Sequence, residues 1–220
     1  MEYTYYGFKN CVGGFFEMST SDARALLPSH LQPVELQHSR SILALTAFQF
    51  TESEVGAYNE IVLAILVPPL VEPGKPLPNA AFYPFMVGTD TEASRRHAIE
   101  RWHLPHHPTE LEIQFNESDG QMDVNILDGG SPVLDLVVTD FDCSQVKNLY
   151  HCFMAANGDR YKATIHMEGP HAVHEEEGGS LTLYGHPMTA GLTVQEVNSF
   201  PFREEWYKAG VQTFEPLETL

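Results

Sequence analysis

Gly, Pro, Asp and Asn cut this chain into short apolar runs, and that punctuation excludes long helices. Tyr5 to Phe8 and Val12 to Glu17 read as opening strands. Thr20-Ser21-Asp22 is an N-cap signal for a short helix over Ala23 to Leu27, stopped at Pro28. Ser41 to Phe50 and Asn59 to Val67, rich in Ile, Leu and Val, are the strongest strand candidates, with a polar connection between them. Pro68 to Pro84 holds six prolines, which no regular element tolerates well. It reads as a loop, a lid or a subunit contact, running into a strand over Phe82 to Gly88.

Glu92 to Trp102 has helical composition, with Asp90 and Thr91 available to cap it. Leu111 to Asn116, Met122 to Leu127 and Ser131 to Thr139 alternate as strands, the first two joined by a hairpin turn at Glu117 to Gly120. Asn148 to Asn157 is ambiguous. Arg160 to Met167 reads as a strand, Gly169 to Gly179 as an acidic loop carrying histidines, Ser180 to Gly185 and Leu192 to Phe202 as strands, and the remainder as a short tail. With 24.6 kDa and 43% hydrophobic residues, residues 1–220 suffice for one domain. The expected fold is mainly β (α+β): an antiparallel barrel or sandwich with one or two short helices.

Charge narrows the partners. Thirty acidic residues against twelve basic ones give a formal charge of −18. Phosphate backbones and anionic membrane surfaces require Lys and Arg, so neither nucleic acid nor a membrane is expected as a partner. The longest apolar run, Ile61 to Val71, is about half of a membrane span. The opening Met1-Glu2-Tyr3-Thr4-Tyr5-Tyr6 is acidic and aromatic, unlike a secretory leader. Three cysteines, Cys11, Cys143 and Cys152, lack zinc spacing and do not suggest a disulfide framework. A cytoplasmic location is expected.

Eleven histidines stand out, six of them in two groups: His97, His103, His106 and His107, then His171 and His174. His171-x-x-His174 precedes Glu175-Glu176-Glu177 in a stretch that reads as solvated loop.

Four segments, in order along nearly the whole chain, resemble the acetoacetate decarboxylase family. They are Asp22 to Leu31, which matches a family helix; Gly56-Ala57-Tyr58-Asn59-Glu60, matching G-x-Y-x-E; Asp90-Thr91-Glu92-Ala93 with Glu100-Arg101-Trp102-His103-Leu104-Pro105; and Gly179 to Pro187 with Leu192 to Ser199. The resemblance implies a cone-shaped, mostly antiparallel barrel with a buried pocket, assembly into homo-oligomers, and a small-molecule carbonyl substrate such as an oxo acid or polyketide-like intermediate. The family's decarboxylation runs through a lysine amine condensed with a ketone, the amine being activated by desolvation and a cationic neighbour.

The family's Pro-Lys-Lys falls on Pro105-His106-His107. An imidazole is not a primary amine and cannot form the iminium that accepts electrons as carbon dioxide leaves. Non-covalent acid–base catalysis (lyase, hydratase, isomerase or cyclase chemistry) is expected instead. A neutral imidazole both takes and gives protons near neutral pH. His106 is the expected acid or base, Glu60 its partner, and His107 a support. Lys9 falls on the family's carboxylate-binding arginine, and Arg101 and Tyr58, within the matched motifs, join it as expected substrate-binding residues. No metal and no cofactor are expected.

Three alternatives stand beside this reading. His103, His106 and His107 with Glu60 offer enough N and O ligands for zinc or iron, although adjacent residues in an extended chain point apart. Lys162, on a candidate strand, could supply an amine if it faced inward. A barrel without its amine could also simply bind a small ligand. No G-x-S-x-G elbow, phosphate loop or thiol signature supports a hydrolase, nucleotide or cysteine-enzyme reading.

Overall fold

A computed structural model describes residues 2–193 and 196–220. In chain order the elements are β1 (Thr4–Ser19), α1 (Thr20–Leu26), β2 (Arg40–Glu52), β3 (Tyr58–Val67), β4 (Ala80–Thr89), α2 (Glu92–Trp102), β5 (Glu112–Ser118), β6 (Gln121–Asp128), β7 (Ser131–Thr139), β8 (Cys143–Ala156), β9 (Asp159–His174), β10 (Ser180–Leu183), β11 (Arg203–Phe214) and β12 (Glu218–Thr219). Strands β1, β2, β3, β4, β8, β9 and β11 pair in that order, and β11 returns to β1 to close a seven-strand barrel. A second sheet, β10-β7-β6-β5, packs against the barrel through one apolar cluster that joins Leu43, Leu45, Ile61 and Leu63 to Val124, Ile126, Leu134 and Leu136.

The barrel is mixed rather than antiparallel throughout, because β4 and β8 run parallel. Between them the chain leaves to build α2 and β5 to β7, and a return from the far end of a strand restores the same direction. Both helices start at caps: Ser19 Oγ accepts from Asp22 N, and Thr91 Oγ1 from Ser94 N. No helix among the described residues is long and apolar enough to cross a membrane.

Four expectations are corrected. The two opening strands are one, bent by an irregularity at Phe8 to Asn10. Asn148 to Asn157, left ambiguous by the sequence, belongs largely to β8. The histidine-bearing loop is strand as far as His174, and His171 and His174 are buried. The expected strand over Leu192 to Phe202 is absent among the described residues there, with Val194 and Gln195 outside them. The expected tail instead supplies β11, which closes the barrel.

The closing seam depends on two glycines. A Cβ on Gly169 would collide with Ala209 O, and one on Gly210 would collide with Glu168 O. Both obstacles are backbone, so a side chain could fit only if β9 and β11 moved apart. Gly169→Ala and Gly210→Ala are each expected to destabilise the protein by about 1–3 kcal/mol in urea unfolding. Unchanged midpoints would show that the seam yields.

Candidate active site

The barrel is not filled. Inward positions on its wall carry Cys11, Gly13, Ala44, Thr46, Ala64 and Ala163, too small to meet across it. They leave a cavity of about 130 Å³, bordered also by Phe48, Val62, Phe82, Met154, Ile165, Met167 and Phe214. That is close to the space in which a leucine-sized void holds one benzene-sized molecule. Trp102 and Leu104, at the end of α2 and just beyond it, cover one side. His103 turns the chain there through a left-handed backbone (φ 54°), so that Pro105 to His107 runs beside β4.

Glu60 projects from β3 into this cavity. Register places it in a row with Phe48, Cys11 and Tyr207 across β2, β1 and β11. No hydrogen bond or ion pair reaches its carboxyl among the described residues. Burial alone therefore sets its acidity, and the pKa is pushed up to about 8. Glu60 is held protonated at neutral pH.

A second carboxylate, Glu205, lies on β11, three strands away in a ring of seven and so on the opposite wall. Burial raises its pKa, but the approach of His171 and the charge of Arg203 outweigh burial and hold it below the usual range. Arg203 Nε donates to Glu205 Oε1 at 2.9 Å, and His171 Nε2 lies 3.6 Å from Oε2. Beside it, Asn148 Nδ2 donates to Tyr207 Oη at 2.5 Å, the Tyr150 and Tyr207 hydroxyls are 3.1 Å apart, and His171 stacks on Tyr207 at 4.0 Å. The cavity thus holds two carboxyl groups with opposite protonation, and its lining contains no Lys, Arg or His among the described residues.

The residues expected from sequence are only partly gathered. His106 and His107 do not line the cavity. His106 bridges to Val87, and its Nε2 is 3.3 Å from the hydroxyl of Thr89, the register partner of Glu60. Its Nδ1 is 2.7 Å from His107 O, which fixes the neutral tautomer with Nε2 free to accept. Burial lowers its pKa, with the His107 carbonyl opposing. Tyr58 is buried beyond Glu60, 4.8 Å from Phe50, and its phenol pKa is raised by burial. Arg101 is exposed, bonds Thr4 Oγ1 at 3.0 Å and lies over the Trp102 ring. Lys9 is exposed as well. The register passes from Phe8–Phe50 to Asn10–Gln49, so Lys9 is an extra residue in β1 and is turned out of the barrel.

The alternative sites also change. Lys162 is on the outer face of β9, while its neighbour Ala163 faces in; it is buried there against Glu72 and Glu218. His103 packs tilted against Tyr161 with ring centroids 4.3 Å apart, and His103, His106, His107 and Glu60 do not form one ligand set. The group of potential ligands within 4.8 Å of one another among the described residues is His107, Asp128 and His186. Asp128 Oδ2 is 2.8 Å from His107 Nε2 and 3.2 Å from His186 Nε2, and Thr109 Oγ1 donates to the same carboxylate. His186 Nδ1 accepts Met188 N, so its neutral ring carries the proton on Nε2, where it is donated to Asp128. The trio is satisfied as hydrogen bonds and offers no free Nε2 lone pair on His186.

No protein-family model matches this sequence, and no curated protein matches it. Solved structures do. The enduracididine biosynthesis enzyme MppR complexed with pyruvate superposes with a TM-score of 0.66 at 12% identity, covering 99% of this chain and 89% of that one. Acetoacetate decarboxylase from Legionella pneumophila gives 0.63 at 13%, covering 98% and 86%. An acetoacetate decarboxylase-like enzyme from Sphingomonas wittichii gives 0.56 at 15%, covering 99% and 92%. The chain therefore has the acetoacetate decarboxylase-like fold along essentially its whole length.

Proposed function

We propose that this protein is an enzyme acting on a small carbonyl compound held in the barrel, with Glu60 as the proton donor to the carbonyl oxygen. The observation that carries this is a carboxyl group that projects into an apolar cavity of molecular size with no hydrogen-bond or ionic partner among the described residues, where burial raises its pKa and favours the protonated form. As Glu60 gives its proton to the carbonyl oxygen, a C–H bond beside the carbonyl weakens. The ionised Glu205 on the far wall accepts that proton, and an enol results. Two titratable groups whose surroundings drive them apart are the arrangement such chemistry needs. His106 acts behind Thr89 as a second proton carrier that does not touch the substrate. That MppR binds pyruvate in the same fold supports a carbonyl ligand here.

The test is deuterium exchange next to the carbonyl of a panel of small ketones and oxo acids in heavy water, followed by NMR. Exchange by the wild-type protein should fall by about 10²-fold or more in Glu60→Gln. Equal exchange in both proteins, or none above buffer across the panel, would overturn the reading. Treatment with borohydride during turnover should leave the protein mass unchanged, because no lysine lines the cavity among the described residues. A trapped adduct on a lysine would restore the amine mechanism.

A further inference from the structure

The cavity's polar groups have a consequence for ligand charge. Its lining offers Thr46, Glu60, Tyr150, Glu205, Tyr207 and Gln212 as polar contacts among the described residues, and none of these is cationic. Arg203 lies close by, with its guanidinium carbon 6.0 Å from the Phe15 ring at the cavity wall. Its charge is already committed: Nε is 2.9 Å from Glu205 Oε1, and Nη1 is 4.0 Å from Glu175. Lys9 and Arg101 are exposed outside the barrel, and Lys162 is held on its outer face by two carboxylates.

A carboxylate entering this space would lose its hydration, meet the fixed charge of Glu205, and find no free cation. An uncharged carbonyl compound meets none of these penalties and can accept from Glu60 at its oxygen. We infer that Glu205 is a specificity-determining residue that occupies Arg203 and restricts the cavity to uncharged carbonyl compounds, excluding oxo acids. The inference rests on the same cavity as the proposed function but not on its chemistry.

The experiment compares binding of pyruvate with that of pyruvamide, its uncharged isostere, and methyl pyruvate, by calorimetry and ligand-observed NMR. The wild-type protein should bind both neutral probes at least tenfold more tightly than pyruvate. In Glu205→Gln, Arg203 is released and the charge removed, so pyruvate should gain tenfold or more relative to pyruvamide. Pyruvate binding as tightly as pyruvamide to the wild type would overturn the inference. So would an unchanged ratio in Glu205→Gln with the fold intact by circular dichroism, or failure of both neutral probes to bind at tens of millimolar. The outcome is separable from turnover: tight neutral binding without exchange would remove the proposed reaction and leave the specificity standing. Preferential binding of pyruvate with Glu60-dependent exchange would do the reverse.

Discussion

Glu60→Gln is expected to slow turnover by about 10²-fold or more and, at neutral pH, to make the protein more stable. The folded protein holds this carboxyl with a pKa of about 8, whereas an unfolded chain releases the proton at the ordinary value near 4.5. Between those values the unfolded state binds fewer protons, so the group's contribution falls as pH rises from about 4.5 to about 8 and is level above. Glutamine has the size and polarity of the protonated acid and no proton to lose. Near pH 7.5 the variant should gain on the order of 2–3 kcal/mol, allowing for relaxation around the charged form. In a chain of this length that is roughly 4–12 °C in Tm. Below the unfolded value, at about pH 4, the two proteins should melt together. A gap that does not widen between pH 5 and pH 8 would show that Glu60 is not held protonated by burial. The proton source would then have to be sought elsewhere in the cavity.

Glu204→Gln should do the opposite. Glu204, next to Glu205 but facing away from the cavity, is 0% exposed and ties β11 to the smaller sheet. Its Oε2 accepts from Thr139 N at 2.7 Å and from Thr139 Oγ1 at 2.9 Å, and its Oε1 accepts from Gly179 N at 2.8 Å. Either orientation of a glutamine amide sets an NH₂ against a backbone N–H, leaving buried donors unpaired. The loss should be about 3 kcal/mol, or roughly 6–12 °C in Tm. Calorimetry at pH 7 checks it, with Glu205→Gln as the neighbouring comparison. A shift under 2 °C would mean that the carboxylate is replaceable there.

Much of the fold is legible in the sequence because local signals agree. The Thr91 cap, the apolar alternation of β2 and β3, and the turn at Asp119-Gly120 each specify an element without help from the rest of the chain. Glu60 is also legible, since an acid on an apolar strand requires a reason. What stays hidden depends on register and closure. Lys9 shares parity with Cys11, Gly13 and Phe15, and only the extra residue in β1 turns it outward. His171 and His174 lie in an acidic, glycine-flanked stretch that reads as solvated, yet pairing with β11 and β8 buries them. Arg203 to Phe214 passes for a tail, although Trp206, Tyr207, Val211 and Phe214 are there as a β signal. With it go Glu205, Tyr207 and Gln212, half of the cavity's polar lining. Where one strand completes a ring, the residues that finish a site can lie far along the chain from those that begin it.

The pairing of β1 with β11 also dictates when the cavity comes into being. Thr4 lies opposite Phe214, so the ring joins residues from near the two limits of the described chain, contacts of very large sequence separation. During synthesis, β1 waits with one edge unpaired, and so does the later half of β9, until β11 has emerged from the ribosome. Through that interval the nascent chain exposes two sticky edges around an apolar, half-built trough. Slow refolding, aggregation that rises with concentration, and a demand for chaperones follow from that single late arrival.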